Sequence, residues 1–90
     1  MCAAGFDLGV AHHGGYSQFA RVPGDWLTKL PDGLSLWESM ALGTAGFTAG
    51  MAIVRMEQHA LTPGNGPVIV NGATGGGGSI ASAWLAKLGY

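Results

Sequence analysis

From Pro67 to Gly89 the chain reads PVIVNGATGGGGSIASAWLAKLG, and the fold is decided by how this stretch divides. Val68, Ile69 and Val70 form a short apolar run with branched side chains, the pattern of a parallel strand covered on both faces. Gly72 to Gly78 follows as a turn. Ser79 to Leu88 then sets Ile80, Ala83, Trp84 and Leu88 on one side at helical spacing, with Gly89 where a helix C-cap favours glycine. Strand, glycine turn and helix open a nucleotide-binding βαβ unit, whose second strand is expected past Tyr90.

The turn carries the chemistry. A pyrophosphate is held by exposed backbone N–H groups at a helix N-terminus, where the helix dipole also favours negative charge. The backbone must come so close to the phosphate oxygens that side chains would block it. Ala73-Thr74-Gly75-Gly76-Gly77-Gly78 supplies A-x-G-x-x-G, with Ala73 in place of the first glycine. Gly75 is expected to admit the phosphate, and Gly78 to let the new helix pack closely on Val68 to Val70. A flexible glycine linker has the same composition, but the apolar strand before the turn and the amphipathic helix after it favour phosphate. No Lys-Ser/Thr pair follows the glycines, which excludes a Walker loop. The residue that would read the ribose belongs about twenty positions further on, past Tyr90. Ser79 is placed either to hydrogen-bond phosphate or to cap the helix.

Working outward, Thr62-Pro63-Gly64-Asn65-Gly66 reads as a loop. The stretch from Ala45 to about His59 is helical, with Phe47, Met51 and Val54 at helical spacing and Thr44 as its cap. Ser35 and Glu38 form a capping box for a shorter helix ending at Gly43. Tyr16 to Val22 reads as a strand closed by Pro23-Gly24, and Asp25 to Leu30 as a short second one before the Pro31-Asp32-Gly33 turn. Met1 to Ala11 is loop-rich. The class is α/β.

Composition narrows the partners. The net charge is -1, and the four Lys/Arg are scattered, so no cationic face exists for nucleic acid. The most apolar stretch, Met40 to Met56, is broken by Gly43, Gly46, Gly50 and Arg55 and is too short to span a membrane. The start lacks a signal-type n-region and h-region, which places the chain in the cytoplasm. Cys2 is the single cysteine, on a terminus expected to be disordered. His12-His13 lacks a third ligand at metal spacing, so no metal site is assigned. Trp26, Trp37 and Trp84 are expected to anchor packing. Charged residues make up only 10%, too few to cover a free-standing module. That shortage motivates an alternative of another class, a non-enzymatic oligomeric assembly module.

Beyond the glycine turn, the chain resembles a known family. Val70 to Ser79 is similar to the V-x-G-A-S-G-G-V-G-S loop of quinone oxidoreductase-like members of the medium-chain dehydrogenase/reductase superfamily. Gly14-Gly15 through Ala20-Arg21-Val22, Gly24-Asp25-Trp26-Leu27, Gly43-Thr44-Ala45-Gly46-Phe47-Thr48-Ala49 and Ala86 to Tyr90 resemble the acrylyl-CoA reductase branch, from about Gly9 to Tyr90. The resemblance implies zinc-independent reduction of a 2-enoyl thioester such as acrylyl-CoA, or of a quinone-like acceptor, with hydride from NADPH, in a homo-oligomer. It implies that residues 1–33 end a GroES-like β domain and that residues 34–90 start the NADP-binding Rossmann domain with its first βα unit. The chain would then be an internal part of such an enzyme, inactive alone. By position, Thr74, Gly75, Gly76 and Gly77 would contact the cofactor phosphates, with Gly78 and Ser79 completing the set. Thr44 would lie near the nicotinamide, if it is not simply the helix cap. No catalytic residue is carried over. Gly77 departs from the family's usual Val, and His13 stands where the family has Trp.

Overall fold

The computed structural model describes residues 1–90. They divide into two compact units, Met1–Ala41 and Leu42–Tyr90.

In the first unit the regular elements are few. The backbone of Cys2 pairs with that of Thr28 in both directions at 2.8 Å, which ties down a terminus expected to be disordered. Gly24–Trp26 is a short 3-10 helix where a second strand was expected. Tyr16 to Val22 likewise pairs with nothing, because a strand exists only through a neighbour's hydrogen bonds and no segment lies alongside this one. The remaining bridge joins Leu8 and His12. Trp26 is a packing anchor, its ring stacked 4.8 Å from Phe6 and meeting His12 edge-on at 5.2 Å. His12 donates from Nδ1 to the His13 carbonyl at 2.8 Å. Phe6 keeps a positive φ of 52° in the turn that carries it.

Helix α1 (Leu36–Gln58) begins in that unit with the expected capping box. Ser35 N–H and its hydroxyl donate to Glu38 Oε2 at 2.9 and 2.6 Å, and Glu38 N–H donates to Ser35 Oγ at 3.2 Å. The Ser35 hydroxyl, then its backbone, hold the Glu38 carboxyl below the usual carboxylate range. Trp37, expected to anchor packing, is 78% exposed, because the first turn of α1 buries none of its faces.

Gly43, with φ 50° and ψ -152°, breaks α1 into two helical parts, as its place in the sequence suggested. The expectation that Thr44 caps the second part is corrected. Gly43 takes the non-helical geometry of a cap, and Thr44 is the first helical residue beyond it.

The second unit is built on the part of α1 after Gly43 and on α2 (Gly76–Leu88). Their meeting faces hold the core: Ala49, Ile53 and Leu85 are its buried hydrophobic residues. Fully burying an Ile or a Leu contributes about 1.5–3 kcal/mol each. On α1 the inward stripe is Gly46, Ala49, Gly50 and Ile53, one helical face by spacing. Phe47, Met51 and Val54, the larger apolar set at helical spacing, stay exposed. Small residues win the inner face because they let the helices approach. A Cβ on Gly50 would fall 2.8 Å from the Trp84 ring. On α2 the buried residue is Leu85, not one of the four expected on its apolar side.

Both helices end alike. At α2, Gly89 N–H bonds Ala86 O and Tyr90 N–H bonds Leu85 O, with Gly89 left-handed as expected. At α1, Ala60 N–H bonds Glu57 O and Leu61 N–H bonds Met56 O, with Ala60 at φ 68°. Thr62 to Gly66, read as a plain loop, contains a 3-10 turn, Pro63–Asn65, in which Asn65 Oδ1 accepts from Thr62 N–H and its hydroxyl.

The expected strand at Val68 to Val70 does not form as a ladder, since no neighbouring strand supplies partners. Its side chains nonetheless alternate. Val68 and Val70 are half-buried beside Leu85 and Ala86, while Ile69 is 91% exposed. No helix is long and apolar enough to cross a membrane.

Candidate functional site

The glycine run does two jobs that its sequence does not separate. α2 was expected to start at Ser79 and starts at Gly76, so Gly76, Gly77 and Gly78 are its first turn and not loop. The turn itself is Asn71 to Gly75. Gly75 N–H closes it onto Gly72 O at 3.0 Å, and Gly75 is the N-cap of α2, with no side-chain cap bond. The first helical bond is Ser79 N–H to Gly75 O at 2.8 Å. The N–H groups of Gly76, Gly77 and Gly78 are therefore left without backbone acceptors, as the first turn of any helix leaves them. No acidic residue sits in that turn to compete for them. The turn before them adds little bulk, since Ala73 and Thr74 carry short side chains and both lie exposed.

Gly78 is required by distance. A Cβ there would lie 2.1 Å from Gly72 O and 2.8 Å from Gly72 C, inside any permitted contact. The helix start thus packs on the first glycine of the turn. Gly75 is less constrained, at 3.4 Å from Gly72 O. Gly77 meets nothing within 4 Å, so its lack of a side chain is not forced by this unit. Ser79 is neither cap nor free: its hydroxyl donates to Gly76 O at 3.1 Å.

Thr44 is brought to the same place. Ala45 Cβ lies 3.5 Å from where a Gly76 Cβ would be, so the start of the second part of α1 abuts the start of α2. Two helix N-termini, each with the positive end of its dipole, converge. Thr44 is exposed at this junction and its hydroxyl makes no intrachain hydrogen bond. The Ala45–Gly76 contact was not foreseen. Its signal lay in the small residues of Gly43-Thr44-Ala45-Gly46, which permit close approach.

Similarity to known proteins decides the family. Over 86 residues the chain is 59% identical to acrylyl-CoA reductase of Ruegeria pomeroyi, covering 96% of this chain and 26% of that one. It is 54% identical over 90 residues to a Bacillus subtilis protein named as a quinone oxidoreductase, covering 100% of this chain and 27% of that protein. The crystal structure of an oxidoreductase from Salmonella enterica in complex with NADP superposes with a TM-score of 0.92 at 50% identity, over 96% of this chain and 26% of that one. The chain belongs to the quinone oxidoreductase-like medium-chain reductases. No family model matches it. The chain spans about a quarter of the length of the curated relatives it matches. Enzyme names among those relatives leave the non-enzymatic assembly reading without support.

Proposed function

We propose that the chain forms the phosphate-binding part of an NADPH-dependent reductase acting on 2-enoyl thioesters of the acrylyl-CoA kind or on quinone-like acceptors. The observation that carries the reading is the start of α2, where Gly78 hugs Gly72 O and three successive N–H groups stay free. Similarity to an acrylyl-CoA reductase and to an NADP-bound oxidoreductase supports the cofactor and the substrate class.

In this reading Gly76, Gly77 and Gly78 donate to the pyrophosphate, Gly75 admits it, and Thr74 and Ser79 flank it. Thr44 offers a free hydroxyl toward the nicotinamide side from the facing helix start. NADPH held there would supply hydride for the β-carbon of an enoyl thioester, with a proton added at the α-carbon. The remaining walls of such a site belong to the GroES-like and later Rossmann parts, which residues 1–33 would close and residues 34–90 would open. Hydride transfer needs donor and acceptor held in near-contact, so these 90 residues alone are expected to bind but not to turn over.

The test is a thermal melt followed by circular dichroism with and without NADPH. Ligand at 100 times its dissociation constant adds roughly 2.7 kcal/mol, and each kcal/mol moves the midpoint by about 4–8 °C in a domain of this size. An upward shift supports the cradle. A cooperative transition that NADPH leaves unmoved rejects it.

A further inference from the structure

Two Asn-Gly pairs flank the apolar run, Asn65-Gly66 before it and Asn71-Gly72 after it. In such a pair the asparagine is open to attack by the backbone nitrogen that follows, because glycine sets no side chain beside that nitrogen and leaves the chain free to bend. By sequence Asn65 is the less hindered, since Gly64 precedes it and Val70 precedes Asn71. The structure reverses that order. Asn65 lies inside the 3-10 turn, and its Oδ1 accepts from the Thr62 N–H and, at 2.8 Å, from the Thr62 hydroxyl. Both bonds hold the carboxamide back over the preceding residues, away from the Gly66 nitrogen. Asn71 has no such tie. It is exposed, lies outside any helix or ladder, and its carboxamide makes no hydrogen bond within the chain. Gly72 beside it is also exposed, and its N–H has no backbone acceptor.

We propose that Asn71-Gly72 is a site of spontaneous deamidation, at which the folded chain modifies the start of its own glycine turn. Gly72 N loses its proton to solvent and bonds to Asn71 Cγ. The Cγ–Nδ2 bond breaks, and the leaving amide takes a proton from solvent to depart as ammonia. The succinimide so formed then takes up water. Opening at Cγ gives aspartate, and opening at the backbone carbonyl carbon of residue 71 gives isoaspartate. An amide is exchanged for a carboxylate, and nothing is oxidised or reduced. Both products carry a negative charge at neutral pH where the chain had none. Isoaspartate also adds a methylene to the backbone directly before Gly72. Gly72 O accepts from Gly75 N–H at 3.0 Å and lies where Gly78 packs, so the added methylene displaces both contacts.

The folded chain and the same chain in urea are incubated side by side, and tandem mass spectrometry with isoaspartyl methyltransferase labelling assigns each converted residue. In the folded chain Asn71 should convert about tenfold faster than Asn65, the scale set by the hydrogen bonds that Asn65 must break. In urea those bonds are gone, and Asn65 should match or overtake Asn71. The isoaspartyl form, separated by ion exchange, should melt about 4–8 °C below the unaged chain, the effect of one lost hydrogen bond. Asn71→Gln, whose longer side chain must close a larger ring, should keep its midpoint through the same incubation. Thr62→Val, which removes the hydroxyl donor, should speed conversion at Asn65 and leave Asn71 unchanged. Equal rates at the two residues in the folded chain, or conversion of Asn65 first, would overturn the proposal. So would a folded chain in which neither residue converts while both convert in urea.

Discussion

The two helices of the second unit place their glycines at opposite ends of their work. α2 has them in its first turn and just past its last, where the backbone turns and where Gly78 meets the Gly72 carbonyl. The part of α1 after Gly43 has them on its inner face, where Gly46 meets Leu42 and Gly50 meets the Trp84 ring of the partner helix. It then ends on Ala60, in the same left-handed geometry that α2 gives to Gly89. Glycine content alone therefore says little. What each glycine faces, a backbone oxygen, a tryptophan ring or open space, fixes what its replacement will do.

The sharpest break in this comparison is at the neighbouring pair Gly77 and Gly78. Gly78→Ala puts a methyl 2.1 Å from a backbone oxygen that no rotamer change can move. It should cost about 3 kcal/mol or more, at the upper end for overpacking, and abolish the NADPH-dependent rise in melting temperature. Gly77→Ala, in open space inside a helix, should instead stabilise by about 0.5–1 kcal/mol. Urea denaturation of the two variants reads both signs.

Next in size is Gly50→Ala. The Trp84 ring, 2.8 Å from the new Cβ, must swing outward, and the ring is already 41% exposed. Overpacking costs about 1–3 kcal/mol, and alanine's helix preference returns about 1 kcal/mol. A net loss of up to about 2 kcal/mol should appear, with a red-shifted Trp84 emission. A more stable variant would mean that the helices do not touch at this point.

The helix ends supply a reciprocal pair. Ala60→Gly relieves a left-handed alanine and should stabilise by about 1 kcal/mol, while Gly89→Ala imposes the same strain and should destabilise by a similar amount. Chemical denaturation of both, in parallel, tests whether the two ends are equivalent.

How far these features were legible differs by element. The Ser35–Glu38 capping box, the break at Gly43, the helix after it and the Gly89 cap all follow from local rules and are all present. The place of the glycine turn, between an apolar run and a helix, was readable, but its register was not. Composition could not reveal that Gly76 to Gly78 are already helical, because glycine is a poor helix former. The strands at Tyr16 to Val22 and Val68 to Val70 need partners outside their own segments, so pattern alone could not make them. The inner face of α1 escapes the pattern for a related reason. Size and apolarity point to Phe47, Met51 and Val54, whereas the buried face holds Gly46, Ala49, Gly50 and Ile53. The Ala45–Gly76 contact, which brings Thr44 to the turn, is tertiary and had no periodic signal of its own.

The smallest expected effect concerns the tie between the two helix ends. The Tyr90 hydroxyl lies 3.1 Å from Glu57 Oε1 and 3.2 Å from Leu61 O. Desolvation, then the Glu57 carboxylate, raises the Tyr90 pKa above the ordinary tyrosine range. A raised folded-state value means the contribution is complete below the unfolded tyrosine value and is lost as pH rises through the folded one. Stability should therefore decline in that alkaline window, slightly because the group is exposed. Tyr90→Phe should flatten the decline in a pH series of denaturant melts.

The central claim, that the start of α2 is a phosphate cradle, is tested most directly by following backbone amides in a two-dimensional NMR titration with pyrophosphate. The amides of Gly76, Gly77 and Gly78 should shift most and saturate together, with Gly75 and Ser79 moving less. If the largest shifts fall elsewhere, or the three glycine amides stay still while pyrophosphate is in excess, the claim is contradicted.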